Sequence, residues 1–441
     1  MALLSRDGAL ANARLRFTSV LWAMYEGWAP APEDRTVPVE PSSIGAKEMW
    51  TKYIEPRRPV VLQGLLDDQC WHGEKWTQLA YLKDKAGSAT VKVEPIHPDE
   101  HCFGTAMPRQ TMSFAEFLDL VQNPDEAGQY YLTTQYEQDE EEDEEDEEEP
   151  VLDPVLPSPT HKLRSDLPLH PRVLGDLVLQ QCNLWIGSGR DEKSSGLHHD
   201  FHDNLYILLS GHKRFVLFPP SAYPYLHLRG TVTHLHPNGL LVYEEGDRIR
   251  ADGLDELDAA HWRMAARAQR TTRKRSRASR DESDVHAAYD EDDEGGILEN
   301  ASEAGSEFGG GEDGEEWLLS LDKNENQEPP SFSLIKPYTL HKHFDIHPAM
   351  PTPEGATSTT SPLPECPAPL IVDLKPGQML YLPASWFHEV TSSATGSEPH
   401  MALNYWMHPP DGHEAAYTDK EVWDHVRTRV LAAAESSDER I

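Results

Sequence analysis

"HHDFHDNLYILLSGHKRFVLFPP", residues 198–220, decides how this chain folds. It places three histidines and two aspartates in six positions, then runs through two apolar stretches separated by Ser210-Gly211. Alternating apolar runs around a Ser-Gly turn predict a β-hairpin. In a strand, residues two apart share a face and neighbours oppose. His198 and Asp200 then point one way and His199 the other. An imidazole and a carboxylate at i and i+2 are two of the three ligands of a 2-His-1-carboxylate site, which leaves positions open on iron(II). His199, His202 and Asp203 read as neighbours of such a site, with His202 close enough to its mouth to touch a substrate.

The third ligand has to come from a distant strand. "PGQMLYLPASWFHEV", residues 376–390, supplies a turn, an apolar strand and then His388. A histidine on an otherwise apolar strand faces an interior where it needs a partner. Alone it would read as a core histidine; beside His198-x-Asp200 it reads as a ligand.

These residues fall in an ordered set: His198, Asp200, Asn204, Lys213 and Phe218-Pro219-Pro220, then Tyr381-Leu382-Pro383 and Trp386-Phe387-His388, then Asn404 and Trp406. The set resembles the jumonji-C (JmjC) oxygenases of the cupin superfamily, over about residues 40–135, 172–243 and 368–408. Among them it looks most like the small protein hydroxylases of lysyl and asparaginyl type. The resemblance implies a mainly β fold with flanking helices, a double-stranded β-helix or jelly roll. It also implies Fe(II), with 2-oxoglutarate and O2 as co-substrates. His198, Asp200 and His388 would hold the metal, which the co-substrate chelates through its C1 carboxylate and 2-oxo group. The distal carboxylate needs a buried cation, and Lys213 is the match, since an unpaired buried lysine would be costly. Ser195 matches a hydroxyl that helps hold that carboxylate. Tyr131 matches a tyrosine before the barrel, with Tyr130 as the alternative. Asn204, Asn404 and Trp406 match positions lining the co-substrate pocket.

The activity so implied is hydroxylation of a protein side chain. Lysine demethylation, hydroxylation of a tRNA base and a non-catalytic JmjC scaffold are the alternatives. The expected partner is a protein, such as a basic histone-like segment or part of a GTPase. At a formal net charge of −37 the chain is a poor binder of phosphate backbones, which argues against nucleic acid. A homodimer is the oligomeric state held open.

Eleven of the negative charges form one run, Asp139 to Glu149, read as a solvated insertion spanning 137–150. Residues 244–328 read as a second, disordered insertion. It begins with a helical stretch that turns basic at "RTTRKRSR" (270–277) and continues acidic and glycine-rich. A low-complexity loop follows at 350–367. The domain is thus expected over 51–409, between an N-terminal helical segment (1–50) and a C-terminal helical tail (410–441). Leu15, Val20, Leu21 and Met24 sit near helical spacing in that first segment, which could otherwise be read as a mitochondrial presequence. Four scattered cysteines without C-x-x-C spacing fit a reducing compartment, and the basic cluster fits nuclear entry, so a nuclear or cytoplasmic location is expected. No apolar run approaches the roughly 18–20 residues of a membrane span.

Overall fold

The computed structural model describes residues 25–31, 35–98, 103, 107–135, 155–189, 192–246, 248–286, 329–352, 363, 365–396 and 398–436. Two sheets face each other. The larger has nine strands in the order β1 (Val39–Pro41), β2 (Val60–Gln63), β13 (Gln378–Leu382), β8 (Asp203–Ser210), β15 (His400–Met407), β6 (Leu179–Gly187), β5 (Tyr130–Leu132), β3 (Thr90–Pro95) and β4 (Gln110–Ser113). The smaller runs β12 (Leu370–Leu374), β9 (His212–Phe218), β14 (Phe387–Ser393), β7 (Lys193–His198). A separate ribbon pairs β10 (Val232–Leu235) with β11 (Leu241–Tyr243). This is the jelly roll expected from the sequence.

Alternation along the strands sorts the side chains into an interior and two outer layers. On β8, Tyr206 and Leu208 face the barrel interior with Phe215 and Leu217 of β9, Leu380 and Leu382 of β13, and Ala402 of β15. Leu205, Ile207 and Leu209 point outward into a core completed by α1 (Ala46–Met49), α2 (Leu79–Ala86) and α3 (Phe114–Gln122). The outer face of the small sheet carries Val216, Phe218 and Phe387 beneath Leu235, Leu241 and Leu340. With both faces covered, β8 is buried at every position.

The predicted hairpin does not form. β8 bonds to β13 and β15, while β9 bonds to β12 and β14 in the other sheet. Ser210-Gly211 is therefore a corner between the two sheets. Gly211 has φ +81°, and a Cβ there would meet the Cβ of His400 at 2.4 Å. The same residues suit a tight turn and a corner; only the partner strands distinguish them.

The insertion at 244–328 differs from the expected disorder over its first part. Helix α4 (Glu256–His286) buries Ala259, Trp262 and Ala266 against α6 (Lys420–Ser436), whose Val422, Trp423 and Val426 are buried in turn. Trp423 Nε1 donates to the buried Asp252 at 2.9 Å. Residues 248–272 and the C-terminal helix thus belong to the domain, and the latter is no loose tail. On return from the insertion, 329–349 forms turns and helix α5 (Pro337–Phe344), and among the described residues the next strand is β12 at Leu370. Residues 25–31 and 35–45, expected helical, carry no helix, and Val39–Pro41 among them form β1. Leu15 to Met24, the acidic run 139–149 and the side chains of 273–277 lie outside the described residues. Among the described residues no helix is long and apolar enough to cross a membrane.

Candidate metal and co-substrate site

β7 and β14 are adjacent and antiparallel, with His198 directly opposite His388. Strand β7 ends at His198, so Asp200 is presented by the loop leading into β8 and not by strand alternation. The ligand atoms of His198, Asp200 and His388 all lie within 4.8 Å of one another, and no other such group of His, Cys, Asp or Glu occurs among the described residues. Asp200 Oδ2 is 3.6 Å from His388 Nε2, and the imidazole centroids are 4.4 Å apart.

Backbone carbonyls orient both rings. His198 Nδ1 donates to Gly196 O and His388 Nδ1 to Trp386 O, each at 3.0 Å. A carbonyl can only accept, so the Nδ1 atoms carry the protons and each Nε2 offers a lone pair, as a metal ligand requires. Burial, reinforced by His388, pushes His198 down to about 4, which keeps it neutral. Phe332 stacks on the His198 ring at 4.6 Å.

The triad opens into a pocket lined also by Phe103, Tyr131, Trp185, Asn204, Tyr206, Val390, Ser392 and His400. Behind Tyr131 and Ser392 of that lining stands Lys213, fully buried, with Nζ donating to Tyr131 Oη at 2.9 Å and to Ser392 Oγ at 2.6 Å. Among the described residues no carboxylate pairs with it. Burial alone brings Lys213 down to about 7. His388, Val390 and Ser392 all line the pocket from β14, so its two ends are four residues apart, about 13 Å at 3.3 Å per residue.

The other residues singled out from the sequence distribute as follows. Tyr131, not Tyr130, reaches Lys213. Ser195 lines the pocket, but its hydroxyl donates to Gly196 O at 3.1 Å and accepts from Val390 N at 3.2 Å. Asn204 lines it too, and Asn404 supports Asn204 by donating Nδ2 to its Oδ1 at 3.2 Å while accepting Trp185 Nε1 at 2.9 Å. Trp406 stacks on His202 at 5.6 Å, away from the lining. His199 points away from the triad and accepts the Tyr243 hydroxyl at 2.7 Å. Sequence reasoning missed Ser392 and His400. Both sit at even offsets from residues already singled out, His388 and Asn404, so strand parity was the available signal.

The residues present fit iron(II) and a small dicarboxylate. Three donors of the right kind converge, and a buried cation without a counter-ion waits at the other end. A jelly roll bearing such a triad defines a cupin-like oxygenase site. The comparisons agree: the family described as "Cupin-like domain" matches residues 46–413, and the chain belongs to it, in its JmjC branch. The chain is 37% identical to "JmjC domain-containing protein 4" of Schizosaccharomyces pombe over a 441-residue alignment covering 91% of this chain and 92% of that protein. Two shorter similarities cover about half of their relatives. One is to human "Bifunctional peptidase and (3S)-lysyl hydroxylase JMJD7", 28% over 187 residues, 40% of this chain and 52% of that protein. The other is to Arabidopsis thaliana "Lysine-specific demethylase JMJ32", 22% over 230 residues, 52% of this chain and 41% of that protein. JmjC proteins are typically 2-oxoglutarate-dependent oxygenases that use Fe(II).

Proposed function

We propose that the protein is an Fe(II)- and 2-oxoglutarate-dependent oxygenase that hydroxylates a side chain of another protein. One observation carries the reading: a buried, uncompensated Lys213 is hydrogen-bonded to Tyr131 and Ser392, two side chains that line the pocket into which the His198/Asp200/His388 triad opens. A metal site alone would not call for that cation. The iron centre, when loaded with 2-oxoglutarate and O2, supplies the oxidising power to hydroxylate a C–H bond. The chain's own residues do the rest. His198 and His388 present Nε2 because their Nδ1 protons are held by backbone carbonyls, and Asp200 completes one face. Lys213, Tyr131 and Ser392 receive the distal carboxylate, while the Asn404–Asn204 pair and Trp185 hold the side wall. The rings of Phe103 and Tyr206 and the side chain of Val390 line the pocket and limit the room for water beside the reacting atoms.

Protein hydroxylation is preferred because the phrase "LHHDFHDNLYILLSGHKRFVLFPP" resembles that of the jumonji lysyl hydroxylase type. The test is to incubate the purified protein with Fe(II), 2-oxoglutarate and O2 and follow succinate. Cell proteins trapped by an Asp200→Ala variant are then treated with wild-type enzyme and searched by mass spectrometry for one added oxygen. Formaldehyde release with loss of a methyl group would replace hydroxylation by demethylation. Absence of 2-oxoglutarate binding to metal-loaded wild-type protein would overturn the oxygenase reading itself.

A further inference from the structure

His400 is a lining residue to which the proposed chemistry has given no task. It is buried at the start of β15, its Nδ1 has no hydrogen-bond partner, and its ring packs 5.5 Å from that of Tyr131. Glycines clear the space it fills. A Cβ on Gly187, its partner on β6, would come within 2.6 Å of His400 Nε2, and one on Gly211 within 2.4 Å of His400 Cβ. Gly187 on β6 thus leaves room for the imidazole, and Gly211, at the corner between β8 and β9, leaves room for the His400 Cβ. Ser210 Oγ anchors the preceding Pro399 carbonyl at 2.6 Å, which fixes where the strand begins.

The location matters because of what else is there. Tyr131 touches both His400 and Lys213, and Lys213 acts electrostatically on the imidazole. Burial first, and that positive charge second, hold His400 well below its ordinary value, so it is uncharged at neutral pH. A neutral imidazole beside a buried ammonium does not compete for the incoming carboxylate or repel it. It occupies volume and offers one nitrogen that is otherwise unsatisfied, and a buried polar atom of that kind gains from a ligand that satisfies it.

Resting on the co-substrate reading above, we propose that His400 is a specificity residue of this pocket: it closes the Lys213 end and sets the length of the 2-oxo dicarboxylic acid accepted, favouring the five-carbon 2-oxoglutarate over the six-carbon 2-oxoadipate. The tyrosine and lysine fix the sign of the group bound; the imidazole fixes where the pocket stops. Gly187 and Gly211 are positioning residues in this scheme, since they seat the ring without touching the ligand.

The experiment is calorimetric titration of full-length protein loaded with Mn(II), which needs no turnover, using 2-oxoglutarate and 2-oxoadipate separately. Wild-type protein should bind the shorter acid at least tenfold more tightly. His400→Ala should weaken 2-oxoglutarate by about 3- to 10-fold, the loss of one neutral buried hydrogen bond. It should also reduce the preference for the shorter acid at least tenfold by opening space. His400→Phe keeps the volume and is the control for folding: it should retain the length preference while weakening both acids about 3- to 10-fold. A preference in a folded His400→Ala within twofold of wild type overturns the gauge, and so does loss of the preference in His400→Phe. If wild-type protein binds neither acid, or Lys213→Met binds as well as wild type, the co-substrate reading fails first and this inference with it.

Discussion

Replacing Lys213 by methionine should move binding and stability in opposite directions. The side chain is fully buried, has two neutral hydroxyl partners and no counter-ion among the described residues. Methionine keeps an unbranched apolar stem, one atom shorter, and removes the charge. Losing a charge-assisted contact to a carboxylate in a buried site costs about 2–4 kcal/mol, which is about 30- to 1000-fold in 2-oxoglutarate affinity. The metal should be held as before, since Lys213 touches no member of the triad. The ligand-free protein should gain stability, by about 1–3 kcal/mol, because an isolated buried cation is replaced by an apolar side chain. Its native value near 7 lies below that of an unfolded lysine, so the native state binds fewer protons between those two values. Wild-type stability therefore rises with pH above about 7, and the gain in the variant is largest at or below pH 7 and closes above it. Calorimetry with Mn(II) and urea unfolding of the ligand-free proteins at pH 6.5 and 8.5 measure both halves. A loss of 2-oxoglutarate affinity under about threefold would place the anchor elsewhere, and Arg214 cannot inherit it, since that side chain pairs with Asp373 and the Pro348 carbonyl outside the barrel. A variant that is destabilised would refute the claim that the cation is kept for binding.

The same lysine makes wild-type affinity pH-dependent: with Lys213 near 7 in the free protein, 2-oxoglutarate affinity should fall about tenfold per pH unit above 7, and Lys213→Met should flatten that profile in calorimetry from pH 6.5 to 8.5. Asp200→Asn should abolish Mn(II) binding, whereas His199→Phe should retain it within threefold while losing about 1–3 kcal/mol in urea unfolding, because the Tyr243 hydroxyl loses its acceptor. Trp262→Ala should cost about 3–5 kcal/mol by emptying the α4–α6 contact. By contrast, replacing residues 289–326 with a short Gly/Ser linker should leave Mn(II) binding within threefold, and the same replacement begun at Glu245 should give no folded protein.

Much of the site was legible because metal chemistry constrains residue type and spacing within a single stretch. His198-x-Asp200 is such a stretch, and along β9 Lys213 shares a face with Phe215 and Leu217 while Arg214 lies on the opposite one. What could not be read was pairing. Ser392 meets Lys213 because β9 and β14 are in a register that sets those two residues opposite each other, and nothing local to either strand specifies it. The corner at Ser210-Gly211 passed for a hairpin for the same reason. The helix after Tyr243 was read as a helix but assigned to a disordered insertion, and its packing into the domain was obscured differently. Ala259, Trp262 and Ala266 do fall on one face at helical spacing, but the adjacent charge-rich composition outweighed that short stripe.

Asp203 shows how a residue can be no ligand and still determine the ligand geometry. It is wholly buried, and its carboxylate accepts a bidentate pair from Arg57, the hydroxyl of Tyr381 at 2.6 Å and the backbone N–H of Ala384 at 2.9 Å. A charge so enclosed is tolerable only because every oxygen is satisfied and a guanidinium neutralises it. The partners come from three parts of the chain: the turn before β2, strand β13, and the turn that carries the chain from β13 to His388. Asp203 itself opens β8, three residues after Asp200. The ion pair thus ties the loop bearing one metal ligand to the turn preceding another. Ser385 N, in that same turn, donates to Asp200 O at 2.8 Å and completes the tie through the backbone. His388 and His198 are aligned by strand pairing, but Asp200 has left the strand and has no ladder to hold it. The buried Arg57–Asp203 pair supplies that restraint, which is why a six-position run with two aspartates needs both of them although only one faces the triad.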